Sequence, residues 1–281
     1  MNKNYIETRL YNDEVSIKFF PDPDHLYFAN GKIVTGVTTY IGIKDKSKPL
    51  MSWAIDSYYD YLIERFFNGL TLNDIEEGAK AFKKEQEDSQ ATGTNAHFWC
   101  ENYIKAQIGI PGFCVLPLPE NKAEKTCVLG FLEWVSEHDV KFLSSERMVY
   151  SRKYEYIGTL DIEAIVDGKH CICDIKTTNG IYNSVKLQLA AYLKADEEER
   201  DVKYEGRWVI RLAKESEEEY YTRMKKKKRW GYPSYKSVEA LYLEDGTSTI
   251  EEDFQAFLAC KKLKEWDDKT DYFKINMKKR K

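Results

Sequence analysis

A short stretch near the middle of the chain concentrates residue types that could do chemistry. Asp161 lies in one apolar segment, Asp174 and Lys176 lie in the next, and Asp167-Gly168 stands between them. Asp-Gly between apolar runs indicates a hairpin turn, and side chains two apart on a strand share one face. Two carboxylates and an ammonium converging at a sheet end are costly unless a bound cation compensates them. The pattern therefore predicts metal-dependent phosphodiester hydrolysis.

The acids are of the kind that binds hard cations. Glu146, Asp161 and Asp174 offer oxygen ligands, which suit one or two Mg²⁺ or Mn²⁺ ions better than zinc. The backbone carbonyl of Ile175 offers one further oxygen. Lys176 beside the ion could orient or deprotonate the attacking water, or stabilise the transition state.

A helix predicted downstream adds two uncharged polar groups. Gln188 and Tyr192 are four residues apart and therefore share one face of that helix. Both can hydrogen-bond a phosphate or the catalytic lysine, and neither adds charge.

A second pair of this kind lies upstream. His97 and Glu101 are also four apart, and Gly93 and Thr94 precede them. His97 could bind the metal or contact the scissile phosphate. Thr94 is expected at a helix start, where exposed backbone N–H groups bind anions.

Each feature also has a purely structural interpretation. An isolated Asp-x-Lys occurs often by chance, and Asp161 alone could be a surface residue. His97 alone is more often a hydrogen-bonded helix residue, and Tyr192 alone is more often a core residue. The combination and order of these features favour the catalytic interpretation.

Together these motifs resemble the PD-(D/E)XK nuclease superfamily, especially its RecB-like and lambda-type phage exonuclease branch. The resemblance rests on residues 93–97 with Glu101, on Glu146, and on residues 158–161, 174–178 and 188–192. The segment from residue 25 to residue 39 also looks like the entry of phage members.

The resemblance implies a restriction-endonuclease-like α/β fold, with a mixed central sheet flanked by helices. It further implies a Mg²⁺ or Mn²⁺ site, DNA as substrate, metal ligation by Asp161 and Asp174, and catalysis by Lys176. Glu146 and His97 correspond to accessory positions. Gln188 and Tyr192 match the helix motif that supports the lysine and the substrate.

The cysteines argue against other metal centres. Some RecB-like relatives hold an iron–sulfur cluster with one upstream cysteine and a C-terminal trio, but only Cys260 lies late in this chain. We therefore expect no iron–sulfur cluster. The six cysteines form no CxxC pair, which also disfavours a zinc ribbon.

A basic run is a candidate DNA contact outside the site. Trp230 directly follows five cations, and cations beside aromatic rings can hold a nucleic acid backbone while bases stack. A solvated basic loop that balances the acidic run at 215–219 is an equally open interpretation. The run consists of Lys225, Lys226, Lys227, Lys228 and Arg229.

Composition bounds the organisation of the chain. With 281 residues, 42 % apolar and 14 % aromatic, it is not a disordered protein. The net charge of −4 does not suggest a general DNA-coating protein, although a local basic channel remains compatible with it. We expect one globular unit, with strands and helices in residues 1–90 and the nuclease core with a C-terminal extension in residues 91–281.

Hydrophobic patterning predicts the elements of this unit. Strands are expected at residues 15–20, 25–28, 33–40, 142–150 and 204–212, besides the central hairpin, with a turn at Asn30-Gly31. Helices are expected at residues 49–68, 127–138 and 182–195, from residue 72 or 73, from residue 94, and from about residue 249. Cys171 and Cys173 alternate with Asp174 and are expected to face the core.

The sequence thus predicts a metal-dependent DNA exonuclease, encoded by a phage or mobile element and acting in DNA recombination or processing. A restriction-type or structure-specific endonuclease and a catalytically silent DNA-binding module remain alternatives. Expected partners are DNA, a single-strand annealing protein and further copies of the chain. With no signal-like or membrane-length apolar segment, we expect no membrane partner and a cytoplasmic location, in a bacterial host cell if phage-encoded.

Overall fold

The computed structural model describes residues 5–21, 25–44, 46–67, 69–226, 232–246 and 248–270. Strands within these residues are β1 (Ile6–Leu10), β2 (Val15–Phe20), β3 (Leu26–Ala29), β4 (Lys32–Gly36), β5 (Val140–Ser151), β6 (Tyr156–Val166), β7 (Lys169–Lys176), β8 (Gly206–Leu212) and β9 (Val238–Tyr242). Helices are α1 (Val37–Ile41), α2 (Ser47–Phe66), α3 (Leu72–Gln107), α4 (Lys122–Glu137), α5 (Ser184–Arg200), α6 (Glu217–Lys226) and α7 (Ile250–Thr270).

The strands join in one mixed sheet. Its order is β1-β2-β3-β4-β6-β7-β8-β9, and β5 pairs with the other edge of β6. The pairs β4–β6 and β7–β8 are parallel, and the other pairs are antiparallel. Helices α1, α5 and α7 cover one face, and α3 and α4 cover the other, each over a buried apolar cluster. The expected α/β fold with a mixed sheet flanked by helices is confirmed.

The two turns predicted from the sequence are confirmed. Asp167 and Gly168 join β6 to β7 with φ values of 51° and 80°, and Asn30 and Gly31 join β3 to β4 with 47° and 80°. Two consecutive positive φ values match the twist of an antiparallel hairpin. Cys171 and Cys173 are fully buried, as their alternation with Asp174 predicts.

Two predicted elements differ from the structure. The strand expected through residue 40 ends at Gly36, and α1 follows it, because Val37, Tyr40 and Ile41 bury a helical face. The two helices expected to meet near residue 93 are one continuous helix, α3. The elements β1, α6 and β9 were not predicted. Strand β2 has the predicted bounds, and the other predicted elements are present with shifted bounds.

Helix α2 forms an antiparallel hairpin with the first half of α3. Trp53 meets Phe82 edge-to-face at 4.9 Å, and Ser57 Oγ donates to Glu85 Oε2 at 2.6 Å. A capping box at Thr71 starts α3 directly after the connection. Apart from α3, no described element packs closely on α2. None of the helices in the described residues has the length and apolarity to span a membrane.

Helix α5 is fixed to the sheet by buried ion pairs. Asp196 is fully buried and pairs with Arg147 of β5 and with Arg200. Arg200 also lies 2.6 Å from Glu163 of β6. Buried charges are tolerated only when paired, so this network sets the position of α5 on β5 and β6.

Candidate metal centre

The candidate site lies where β6 and β7 separate. The two strands pair from Ile162 opposite Cys173 down to their hairpin. Beyond that point β7 continues along β8 as far as Lys176, while the same edge of β6 pairs with β4 only at Tyr156 and Ile157. Residues 158–161 therefore face a fork between two strands.

Asp161 closes the narrow end of this fork. Its Oδ2 accepts a hydrogen bond from the Ile175 amide at 3.0 Å, and its carbonyl accepts one from Ser145 Oγ at 3.0 Å. The amide and carbonyl of one strand residue face the same edge. The Ile175 carbonyl therefore also faces the fork, where it was predicted to serve as a ligand.

Glu146 lies opposite Asp161 on β5 in an unusual backbone conformation. Its φ is 52°, a region that non-glycine residues rarely occupy. Around it the two-residue alternation of the strand is interrupted, because Ser144 and Arg147 both reach Glu163 on one face. Strained backbone of this kind clusters at functional sites.

Three side chains converge at this point from three separate elements. His97 of α3, Glu146 of β5 and Asp161 of β6 each offer a ligand atom, and these atoms lie within 4.8 Å of one another. His97 Nδ1 is 3.6 Å from Asp161 Oδ2. A group of this composition can hold a divalent cation.

Gly93 explains how α3 comes close enough to contribute His97. A Cβ at Gly93 would lie 2.8 Å from Thr177 Oγ1, directly after the end of β7. Gly93 and Thr94 lie inside α3, where backbone amides bond within the helix. The prediction of a helix start at Thr94 is therefore wrong, whereas Thr94 as a DNA contact stays a prediction, which would rest on its exposed side chain.

Asp174 and Lys176 form a close pair beside this group. Both Asp174 oxygens lie near Lys176 Nζ, at 2.8 Å and 2.7 Å, but only Oδ1 has hydrogen-bond geometry. The side chain of Asp174 is almost fully buried, while that of Lys176 is 28 % exposed. Asp174 thus faces the lysine and lies outside the His97, Glu146 and Asp161 group.

Burial and mutual repulsion oppose ionisation of these acids. Burial, together with the charges of Asp161 and Glu101, raises the pKa of Glu146 to about 8. Burial also raises the pKa of Asp174 to about 6, although Lys176 acts in the opposite direction. Burial alone would lower the pKa of Lys176, but the adjacent carboxylates outweigh it and raise that pKa.

Gln188 and Tyr192 lie beside β6 and contact each other. Gln188 Nε2 donates to Tyr192 Oη at 3.1 Å, and a Cβ at Gly158 would lie 2.2 Å from the Tyr192 ring. Among the described residues, the hydrogen-bond partner of Lys176 Nζ is Asp174. The geometry therefore shows the pair shaping the wall of the fork, without a direct bond to the lysine.

Comparison with known protein families and with curated proteins finds no match to this chain.

A cleft of about 570 Å³ opens beyond the ends of β7 and β8. Carboxyl ends of parallel strands meet at one edge, where α/β proteins commonly bind ligands. Sequence reasoning missed this cleft, because its residues come from five separate helices and strands and from the loops between them. Its lining includes Trp53, Thr177, Arg211, Lys214, Tyr220 and Tyr235.

The predicted basic run falls mostly outside the described residues. Lys225 is exposed at the end of α6, and Lys226 is the last residue of that helix. Lys227, Lys228, Arg229 and Trp230 lie outside the residues that the structure describes.

Proposed function

We propose that this chain is a divalent-metal-dependent deoxyribonuclease of the PD-(D/E)XK type, with a restriction-endonuclease-like core, that hydrolyses DNA from an end. One observation carries the proposal: the His97, Glu146 and Asp161 group lies in the same strand fork as the Asp174–Lys176 pair. The order and spacing of these residues in the sequence support the same assignment.

The donor set fits Mg²⁺ or Mn²⁺. Glu146, Asp161, Asp174 and the Ile175 carbonyl would hold the ion through hard oxygen atoms, and His97 would add a nitrogen. The buried Asp174 Oδ2 atom lies 2.7 Å from Lys176 Nζ but accepts no hydrogen bond among the described residues, so it is free to bind a metal ion as well. A bound ion supplies positive charge for the phosphate in the transition state and acidifies the attacking water.

The remaining residues have separate roles in this proposal. Lys176 donates a hydrogen bond that orients the attacking water in line with the phosphorus, and Asp174 holds the Lys176 ammonium in place. Gln188 and Tyr192 keep the wall of the fork in shape by packing on β6. Asp161 joins β6 to β7 through the Ile175 amide.

Digestion from an end is the part of the proposal that rests on the RecB-like sequence motifs. The same core can serve an endonuclease, and circular DNA distinguishes the two because it offers no end. A catalytically silent DNA-binding module is less favoured, since both acids, the lysine and the metal-type group are all present. A phage or mobile-element origin and an annealing-protein partner belong to this proposal as well.

The test is digestion of end-labelled linear DNA and of covalently closed circular DNA, with Mg²⁺ and with chelator. We expect Mg²⁺-dependent loss of linear DNA only, and no digestion by Asp174→Ala or Lys176→Ala proteins that remain folded. Cleavage of circular DNA would favour the endonuclease. Full activity of either variant, or equal digestion in chelator, would refute the proposed site.

A further inference from the structure

One side of α3 connects the cleft beyond β7 and β8 with the candidate metal group. Residues 85, 89, 93 and 97 of this helix are four apart, so each is the neighbour of the next. Glu85 lines the cleft, and His97 belongs to the metal group. Between them, a Cβ at Gly93 would lie 2.8 Å from Thr177 Oγ1. Thr177 also lines the cleft and directly follows Lys176, so the cleft begins one residue from the proposed catalytic lysine.

Lys214 brings a positive charge into this cleft. It follows the end of β8, and its Nζ donates to the carbonyl and hydroxyl oxygens of Ser89 at 2.7 Å and 2.6 Å. No carboxylate among the described residues lies within ion-pair distance of this Nζ, and burial lowers the pKa of Lys214. An ammonium has three donors, so one is left for a ligand. An anionic ligand would stabilise the charge of this partly buried group.

The arginines of the cleft are already paired. Arg211 Nε lies 2.9 Å from Glu239 Oε2, and Arg223 pairs with Glu215. Each pair is close to neutral, so neither pair strongly attracts or repels a phosphate. The pairs therefore leave the charge of Lys214 uncompensated on the sheet side of the cleft.

Negative charge lies on the α2 side of the cleft. Asp56 and Asp60 line it there, and Trp53 lies beside them with its Nε1 donating to Glu85 Oε2 at 2.9 Å. A phosphate is repelled by these carboxylates and attracted by the ammonium of Lys214. The phosphate of a ligand should therefore lie against the sheet side.

Two tyrosines supply an aromatic wall. The ring centres of Tyr220 and Tyr235 lie 5.7 Å apart, and both residues line the cleft. Their hydroxyl groups donate to the carbonyls of Pro233 and Glu215 at 2.7 Å and 2.8 Å, which fixes the rings before a ligand binds. Aromatic rings beside a cation form the kind of platform on which unpaired bases stack.

The size of the cleft suits a single strand. Its volume of about 570 Å³ lies in the range of small-molecule pockets, which is suited to a ligand of nucleotide size. A duplex, whose major groove alone is about 12 Å wide, is too large for a cleft of this volume.

We propose that the cleft binds an unpaired segment of the substrate strand, with Lys214 on a phosphate and the rings of Tyr220 and Tyr235 on a base. The inference deepens the proposed nuclease function and rests on it, and it names the substrate as DNA with an unpaired end. Ser89, which Lys214 contacts, precedes His97 by two helical turns, about 12 Å along α3. At the B-form rise of about 3.4 Å per nucleotide, the bound phosphate lies at most roughly four nucleotides from the scissile one, since an extended strand covers the distance with fewer.

The first test measures binding to the full chain by fluorescence anisotropy in chelator, where digestion does not interfere. The probes are a labelled single strand of about 12 nucleotides and the blunt duplex of the same sequence. We expect the single strand to bind more tightly than the duplex. A deoxynucleoside monophosphate should compete poorly, because it lacks the further contacts of a strand.

Substitutions of Lys214 test its contact with a phosphate. Lys214→Gln should weaken single-strand binding about 10-fold and reduce the dependence of log K on log salt by about 0.7. Lys214→Arg keeps the charge and should bind nearly as the wild type does. Ser89→Ala removes a contact of the ammonium but no charge, so it should also bind nearly as the wild type does. Lys141→Gln is the matched control, an exposed lysine outside the cleft, and circular dichroism checks folding.

A matched pair of substitutions tests the aromatic wall. Tyr220→Leu should weaken single-strand binding about 5-fold or more, because the base loses its stacking partner. Tyr220→Phe keeps the ring and should bind nearly as the wild type does.

Digestion with Mg²⁺ links the cleft to the proposed function. Linear DNA with non-complementary, unpaired ends should be digested faster than blunt DNA of the same length. Lys214→Gln should raise KM for the unpaired ends and leave kcat nearly unchanged, because its contact is made equally in the ground state and the transition state. A chain that binds the single strand in chelator as expected but digests no DNA would refute the nuclease proposal and still support the cleft as a strand site.

Three outcomes would overturn the inference. They are equal affinity for the single strand and the duplex, an affinity and a salt slope that Lys214→Gln leaves unchanged, and a monophosphate that competes as well as the unlabelled single strand.

Discussion

The carboxylate of Asp161 holds β6 and β7 at a defined separation by accepting the Ile175 amide at 3.0 Å. One carboxylate oxygen is thereby used to bridge two strands that no longer pair directly. His97 Nδ1 approaches that same oxygen to 3.6 Å. The residue that shapes the fork is also a member of the candidate metal group.

Asp161 should therefore respond differently to two neutral substitutions. Asp161→Asn and Asp161→Ala both remove the negative charge, so both should abolish Mg²⁺-dependent digestion. Only asparagine keeps an acceptor for the Ile175 amide. The free energy of unfolding of the Asp161→Ala protein should therefore be about 1–2 kcal/mol lower than that of the Asp161→Asn protein. Denaturant unfolding in chelator measures this difference. Equal values would show that the hydrogen bond does not hold the fork.

Glu146 should make the metal-free protein less stable at high pH. Its pKa is about 8 in the folded chain and 4.5 as an ordinary glutamate, so the folded state loses stability as pH rises between these values. Glu146→Gln removes this titration. In chelator at pH 8 the variant should be more stable than the wild type, by an amount on the order of 1–3 kcal/mol.

The same comparison at pH 5 supplies the control for Glu146. There the wild-type side chain is protonated in the folded state, and the stability difference should shrink towards zero. Thermal unfolding at both pH values is sufficient. A difference that is the same at pH 5 and pH 8 would contradict the raised pKa.

Gly158 should tolerate no side chain while Tyr192 is present. A Cβ there would lie 2.2 Å from the buried ring, so Gly158→Ala should destabilise the protein by about 1–3 kcal/mol. Gly180→Ala is the matched control, because no atom lies within 4 Å of a Cβ at that position. Combining Gly158→Ala with Tyr192→Leu should recover part of the loss, and purely additive effects would argue against the contact.

The basic run at residues 225–229 should contribute to DNA affinity and not to metal binding. Replacing its five cations with glutamine should weaken DNA binding and reduce the dependence of log K on log salt by up to about 4–5 units. Mg²⁺ affinity should stay unchanged. Lys141→Gln serves as a control for an exposed lysine at the start of β5. An unaltered affinity and salt slope would show that the run is a solvated segment.

The features that the sequence predicted correctly depend on short-range patterns of residues. Turn residues and alternation place Asp174 and Lys176 on one strand face, and they bury Cys171 and Cys173 on the other. Helical spacing places Gln188 and Tyr192 side by side, as their hydrogen bond shows. Such features depend on neighbours a few residues away, so periodicity is sufficient to predict them.

Other features depend on contacts between distant parts of the chain. Nothing local indicates that β6 and β7 diverge after Cys173, or that Glu146 takes a φ of 52°. The predicted break near Gly93 was wrong because this glycine serves close packing against Thr177 inside a continuous helix. In a sequence, a glycine indicates a helix boundary. Only tertiary contacts distinguish a glycine that ends a helix from one that allows close packing within it.

The sequence by itself thus determined the chemical groups, their order and the strand or helix that carries most of them. The tertiary structure decided which groups meet. It brought His97 to Glu146 and Asp161 and left Asp174 with Lys176, because the separation of two strands and the approach of α3 set those distances. It also left apolar side chains of α2, such as Ile55 and Tyr59, exposed, since an amphipathic pattern specifies an apolar face and not the surface that covers it.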